Sequence, residues 1–379
     1  MKSLCVTVLA VTCFQLFAQQ NPEIQFPQDV DQLIHTYQFN KAIALLERIE
    51  DSLSIDVLQR KGNCYHQMGN YSEAISEYEK LTSLDSTHQG ALLALGQLYA
   101  KQKQFNRSYY CYTRLIKMDT LNSYYFKQLG SVAHQANNIG LAMQILSRAL
   151  ELNPTDIDSN ALLADILIDG EQPQAAEMLL TNALKLTTSP QLSLLLAKAQ
   201  LNTEKYTQAI NTTTELLVKG DTLPAHARIM GIGKFMLKEY DQAINWMHIL
   251  LETGTEADWI YYYIGLSYER LDQADSAIVY MNKAIEEGTS DNIGEYYVHL
   301  AASYEAANNY PMAIKYYQAG YKVSKDGIIL YHLARNYDIY YKDKQQALVY
   351  FRKYLESDDT IKVTRQYSAA RLNQLEHYR

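Results

Sequence analysis

Several side chains in this 379-residue sequence have types and spacings suited to chemistry. Asp165 and Asp169 stand one helical turn apart, with Asp158 two turns before Asp165, and paired carboxylates can hold a cation or divide acid and base roles. On a regular helix face such a set is ordinarily solvated surface, which is the expectation here. His66 and His134 hold the same relative place in segments two helix pairs apart. Helices pack roughly 8–10 Å apart, so these rings stand about 20 Å from each other, too far to share a metal with bonds near 2 Å. Of four cysteines, Cys64 and Cys111 lie beyond residue 18. Two cysteines pair in an oxidising compartment, but both sit within helical patterns and read as small buried hydrophobes. No G-x-S-x-G, H-E-x-x-H, P-loop or C-x-x-C pattern occurs. No catalytic, cofactor-binding or metal-binding residue is assigned, and a non-enzymatic protein is expected.

Another set points to binding rather than catalysis. Ala225, Arg228, Ile232, Phe235 and Met236 fall at i, i+3, i+7, i+10 and i+11, and Trp259, Tyr262, Leu266, Glu269 and Arg270 repeat the stripe. Arg228, Phe235, Trp259, Tyr262 and Arg270 form the candidate partner site. An apolar side chain of a partner buries against Phe235, Trp259 and Tyr262 while Arg228 and Arg270 pair with acidic groups at its rim, a composition typical of interface hot spots. The plainer alternative is that these aromatics cover the next helix pair. Corresponding stripes earlier in the chain are polar, such as Asp56, Gln59, Asn63, His66 and Gln67.

What positions such stripes is legible in Leu58 to Leu84, LQRKGNCYHQMGNYSEAISEYEKLTSL. Leu58, Gly62 and Tyr65 share one face of a 3.6-residue period. A mid-helix Gly costs ~1 kcal/mol relative to Ala, so Gly62 implies a neighbouring helix packed too closely for a side chain. Gly69 supplies the helix stop. Asn70 with Glu73 reads as a capping pair opening a second helix, whose Ala74, Ile75, Tyr78 and Leu81 share a face.

This helix pair recurs at a step of 34 residues or within two of it. The first-helix small residue returns as Gly62, Gly96, Gly130, Ala164, Ala197, Gly231, Gly265, Ala301 and Ala334. The second-helix one runs from Ala42 through Ala74 and Ser108 to Ala347. From Gly62 to Ala313 the two stay 12 apart. First helices are expected to start near Ile55, Gln89, Ser123, Ile157, Pro190, Pro224, Asp258, Gly294 and Gly327. The phase opposite Gly231 and Gly265 is that of the candidate site. The wording GNCYHQMGNYSEAISEYEKL at Gly62, LGQLYAKQKQFNRSYYCYTRLIKMD at Leu95 and IGLSYERLDQADSAIVYMNKAIEEG at Ile264 resembles the tetratricopeptide repeat family over about nine tenths of the chain. The resemblance implies an all-α, right-handed α-solenoid of about ten helix-turn-helix repeats with a C-terminal capping helix. It also implies a protein or peptide partner bound along the concave face, lined by first helices. The family's carboxylate clamp of Lys, Asn, Asn, Lys and Arg is not expected, because the matching places hold Gln59, Asn63, Gln97, Lys127 and Ser131.

The match is uneven. The large residue three places after the small one is Tyr65, Tyr99, Leu167, Tyr268, Tyr304 or Tyr337, but Ala133, Gln200 and Lys234 stand there in three repeats. The first repeat, from Asp29, carries Val30 where Gly or Ala is the rule, as suits a terminal repeat. A last helix from about Val363 to Tyr378 presents Ala369, Leu372 and Leu375 on one face, with Arg365, Arg371 and Glu376 pointing elsewhere.

The N terminus has Lys2, an apolar run from Leu4 to Phe17 and Ala18 before two glutamines. It is too short for a span of about 20 residues and reads as a signal peptide cleaved after Ala18, with an uncleaved anchor or lipidation at Cys13 as lesser alternatives. Residues 1–18 are thus taken as signal peptide, 19–54 as lead-in and degenerate first repeat, 55–360 as repeats and 361–379 as capping helix. The expected location is the periplasm or cell envelope, with possible envelope association and no direct membrane span. Asn70, Asn106 and Asn211 head N-x-S/T sequons and are expected to stay unmodified in a bacterial host. The formal net charge is −8 with no run of Lys or Arg, which argues against nucleic acid as partner. The expected function is a protein interaction scaffold. A glycan-binding protein using an aromatic concave surface is the alternative, because the chain has 32 tyrosines, most of them between residues 261 and 354.

Overall fold

The computed structural model describes residues 28–49, 54–220, 224–288 and 292–377. Everything expected of the signal segment and of Asn21 to Pro27 lies outside them. Among the described residues there are 21 helices and no strand. The first two pairs are α1 (Gln28–His35) with α2 (Phe39–Leu46) and α3 (Ile55–Gln67) with α4 (Tyr71–Leu84). Next come α5 (Gln89–Lys101) and α6 (Phe105–Met118), then α7 (Ser123–Gln135) and α8 (Ile139–Leu152). The middle pairs are α9 (Ile157–Asp169) with α10 (Pro173–Leu186), α11 (Pro190–Asn202) with α12 (Tyr206–Val218), and α13 (Pro224–Met236) with α14 (Tyr240–Glu252). The last three are α15 (Asp258–Arg270) with α16 (Ala274–Glu286), α17 (Ile293–Ala306) with α18 (Tyr310–Ser324), and α19 (Gly327–Tyr340) with α20 (Gln345–Glu356). A single helix, α21 (Lys362–His377), closes the chain. Every first helix from α3 onward starts where the period places it except α17, which starts one residue early, at Ile293. The fold is an all-α helical-repeat solenoid.

The chain divides into two compact units, up to Leu163 and from Ala164 onward. In the first unit the small residues do what their spacing implies. A Cβ on Gly62 would stand 2.7 Å from the Tyr78 ring, one on Gly96 2.9 Å from the Tyr112 ring, and one on Gly130 2.7 Å from Leu146. The opposing residue is 16 positions on each time, so one glycine and one large residue lock each pair. Ser108 replaces Ala in the second helix without penalty, because its hydroxyl donates to the Gly96 carbonyl at 2.6 Å. Val30 is buried against Ala42, Leu46 and Val57. Asn70 does stand before α4, but its side chain makes no capping bond, so the capping pair read there is corrected to a bare N-cap.

The turn inside each of the first nine pairs has one residue with positive φ. Gly69 holds it in the second pair at 79°, and Tyr37, Lys103, Asn137, Glu171, Glu204, Lys238, Asp272 and Asn308 hold it elsewhere at 57–63°. A left-handed conformation costs an ordinary L-residue ~1–2 kcal/mol, and glycine recovers most of that against its own unfolded-state entropy. Lys238→Gly is therefore expected to raise stability by about 0.5–1 kcal/mol. The measure is the urea midpoint at unchanged m-value, and a lowered midpoint would contradict the account.

In the second unit Gly231 and Gly265 face Met247 and Met281 at 2.9 and 3.0 Å, again 16 residues on. The two polar departures are accommodated. Gln200 is buried and accepts from Thr212 at 3.0 Å, and Lys234 pairs with Glu239 at 2.7 Å. Tyrosines stack on tyrosines within three successive pairs: Tyr268 on Tyr280 at 5.5 Å, Tyr304 on Tyr316 at 5.5 Å and Tyr337 on Tyr350 at 5.3 Å.

The closing helix departs from its expected face. Ala369 is exposed, while Ser368 and Leu375 are buried and Leu372 is half-buried. The arginines expected to point away are its anchors. Arg371 makes a bidentate pair with buried Asp338, Nε to Oδ2 at 2.7 Å and Nη2 to Oδ1 at 3.1 Å. Arg365 donates to the carbonyls of Leu355, Ser357 and Asp359, and Glu376 pairs with Arg352 at 2.5 Å. A guanidinium satisfies carbonyls left open at a helix end as well as any apolar contact does.

Candidate functional site

The residues singled out for chemistry are held in structural contacts. Lys198, reaching from α11, lies 3.5 Å from Asp165 and 3.6 Å from Asp169. Asp158 pairs with Lys127 at 3.0 Å. The His66 ring meets Tyr71 edge-on at 6.2 Å, and burial, with Lys101 nearby, lowers its pKa. Among the described residues no group of three or more His, Cys, Asp or Glu is placed to hold a metal ion. Cys64 and Cys111 are free and buried, and burial pushes both thiols up to about 11, which keeps them protonated at neutral pH. Of the five clamp positions, Asn63 accepts from the Tyr78 hydroxyl at 2.6 Å, Gln97 donates to Tyr124 at 3.2 Å and Lys127 is held by Asp156 and Asp158.

A cavity of about 620 Å³ opens in the second unit between first helices α11, α13 and α15. Its positioning follows from local sequence. Pro190 fits the first turn of α11, and the Ser189 hydroxyl caps that helix by accepting from Leu192 N at 3.3 Å. Gly231 and Gly265 turn one side of α13 and α15 against their own second helices, so the opposite side is left to line the opening. Leu194, Leu195 and Leu201 form one wall, and Ile232 and Met236 another. Tyr206 and Tyr263 also line it, and among the described residues the cations Lys198 and Arg228 are its charged lining.

The five predicted residues fall around this cavity in different roles. Arg228 is exposed and lies over the Trp259 ring, 5.0 Å from its centroid. Among the described residues it has no carboxylate partner. Trp259 is half-buried and meets Tyr263 edge-on at 6.3 Å, and Trp246 of α14 packs into the same cluster. Phe235 stands edge-on to Tyr263 at 5.1 Å and to Tyr240 at 5.6 Å, so it supports the cavity through Tyr263. Tyr262 turns the other way, over Tyr296 at 4.5 Å and edge-on to His299 at 5.7 Å. Burial raises the Tyr262 phenol, helped by Glu295 and Glu269. Arg270 is exposed at the last position of α15. Arg228 and Trp259 are thus brought together at the cavity edge, Phe235 lies behind it, and Tyr262 joins the next pair.

Sequence reasoning missed Tyr263 and the whole α11 wall. The signal was available, since stepping back 34 residues from Arg228, Ile232, Phe235 and Met236 lands on Leu194, Lys198, Leu201 and Asn202, all of which line the cavity. Beyond Tyr262 the surface becomes acidic. His299 Nδ1 lies 2.9 Å from Glu269, and its Nε2 lies 4.0 Å from Glu295.

A family model described as TPR repeat matches residues 62–103, and one described as Tetratricopeptide repeat matches residues 260–287. A search of curated proteins finds no match. Solved structures with similar chains include a tetratricopeptide repeat protein from Parabacteroides merdae at 15% identity, covering 66% of this chain and 98% of that one with a TM-score of 0.49. PilF of Pseudomonas aeruginosa aligns at 18% identity over 58% of this chain and 97% of its own, with a TM-score of 0.44. The human IFIT1 dimer aligns at 17% over 89% and 84%, with a TM-score of 0.42.

Proposed function

Because this chain is a tetratricopeptide-repeat protein, and such repeats are in general non-enzymatic scaffolds for protein–protein interaction, we propose that the first-helix groove of its second unit holds an extended segment of a protein partner. The observation that carries this is Arg228, an exposed guanidinium on Trp259 with no carboxylate partner among the described residues, beside a 620 Å³ apolar cavity. An apolar cavity with a few convergent polar groups is the usual form of a binding site, and Trp, Tyr and Arg are the usual hot-spot residues. The signal-like N terminus supports placing the activity in the periplasm or cell envelope of a bacterium. N-terminal sequencing of the protein from its native host is then expected to begin at Gln19, and an intact Met1 would oppose that placement.

The glycan alternative gains nothing from the tyrosines at residues 268 to 350. Six of them stack on one another within three successive pairs, which supports repeat packing as the role of those six.

The test compares wild type with Arg228→Ala and Trp259→Ala in affinity for a partner captured from envelope extract. Tyr262 is left intact, because its packing on Tyr296 would confuse stability with binding. Truncating a hot spot costs about 2 kcal/mol or more, so each variant is expected to weaken binding roughly 30-fold, and Arg228→Ala, at an exposed position, is expected to keep a near-native melting curve. A Trp259→Ala variant that melts several degrees lower yet binds as wild type does would make these residues core.

A further inference from the structure

We propose that the segment held in this groove is charge-ordered, with an acidic side chain at Arg228, an apolar one on the ring surface of Trp259 and Tyr262 and a basic one at Glu269 and Glu295. The inference rests on the groove reading and adds the chemistry of its occupant. One pole is Arg228, which lies over the face of Trp259 at 5.0 Å and has no carboxylate partner among the described residues. Lys198 on the facing wall is shared between Asp165 and Asp169 at 3.5 and 3.6 Å, so its charge is offset locally and the positive pole is Arg228 alone.

From Arg228 an unbroken path of rings leads to the other pole. Trp259 meets Tyr263 at 6.3 Å, Tyr263 meets Tyr262 at 6.2 Å, and Tyr262 meets His299 at 5.7 Å. His299 then stands between Glu269 at 2.9 Å and Glu295 at 4.0 Å. Two carboxylates against one imidazole leave this pole negative whether or not the ring carries a proton. Arg270, the next residue after Glu269, forms no ion pair with either carboxylate among the described residues, so the pole is not cancelled. Three ring-to-ring steps of about 6 Å bound the distance from Trp259 to His299 at about 18 Å, no more than about five or six residues of extended chain at ~3.3 Å each. The two poles therefore fit one short segment whose middle lies on aromatic surface. Groups of opposite sign at the two ends fix register and exclude partners of uniform charge.

The experiment measures fluorescence anisotropy of labelled eight-residue peptides with the whole chain. The set contains an acidic–apolar–basic peptide, its reverse sequence, and peptides with two acidic or two basic ends. One of the two mixed-charge peptides is expected to bind on the order of tenfold tighter than either uniformly charged one, with the advantage shrinking as salt rises from about 0.05 to about 0.5 M. Arg228→Glu is expected to shift the preference to the peptide with two basic ends, and Glu295→Arg to the one with two acidic ends. Both side chains are exposed, so melting curves should stay near wild type. Should Arg228→Glu fold poorly, Arg228→Gln serves, and must erase the preference. Equal binding of all four peptides, or a preference untouched by either substitution, overturns the charge order while leaving the groove intact. Failure of wild type to bind any of them sinks the groove reading, and the charge order with it.

Discussion

Replacing Gly96 with leucine is expected to lower stability by ~1–3 kcal/mol through overpacking. The Cβ alone would stand 2.9 Å from Cζ of Tyr112, a ring that is 1% exposed and closed in on every side. A rigid ring in a packed interior has no rotamer to retreat to, so helices α5 and α6 must separate. The helix-propensity gain of about 1 kcal/mol on losing a glycine offsets only part of this. Gly265→Ala is the internal control, because the added Cβ would meet Cε, Sδ and Cγ of Met281 at 3.0–3.1 Å, an unbranched side chain more adaptable than a ring. It is expected within about 0.5 kcal/mol of wild type, contact cost and propensity gain nearly cancelling. Urea melts of both variants decide the matter. A Gly96→Leu protein with the wild-type midpoint would remove the close-approach account of every glycine in this register.

Arg371→Met is expected to cost about 2–3 kcal/mol, at the lower edge of the range for breaking a buried pair. The discount has two causes: the Arg371 side chain is 33% exposed, and Lys344 remains 3.4 Å from Asp338. Asp338 itself is 7% exposed, so the carboxylate cannot recover its hydration where it stands. Repeat arrays open from their ends, and the loss should appear as faster amide exchange across α21 and α19, with residues 55–118 unchanged. Asp338→Asn combined with Arg371→Met should restore part of the stability, because no unpaired charge is then left inside. Unaltered exchange in α21 would show that the helix is held by Leu375 and the Arg365 carbonyl contacts rather than by this pair.

How much was legible depended on whether a feature repeats. Helix starts, the small-residue register and the number of pairs follow from a 34-residue recurrence, because every copy must bury the same face on its neighbour. Ala42, Ala74 and Ala142 are all 0% exposed as their phase demands. Features that occur once were not readable. Nothing in the period says that Asp338 is buried, so Arg371 looked like surface and Ala369 like core. Asn70 has the right identity for a cap, yet capping depends on a side-chain rotamer that sequence does not set. The candidate site was half legible for the same reason. The exposed face of α13 and α15 came from the helical phase, whereas the division of labour between Tyr262 and Tyr263 depends on which neighbour each ring reaches. Those adjacent tyrosines sit about 100° apart around one helix, and that is enough to send one toward Phe235 and the other toward Tyr296.

The chain's two tryptophans, Trp246 on α14 and Trp259 on α15, pack against one cluster in the second unit. Intrinsic emission therefore samples a single neighbourhood, the one around Arg228. A melt followed at tryptophan wavelengths reports on α13 to α15, while far-ultraviolet dichroism averages every helix, so each curve answers a different question about the same sample. An unlabelled peptide whose acidic group draws the guanidinium off the indole face changes that emission at once, giving a titration signal already built into the molecule.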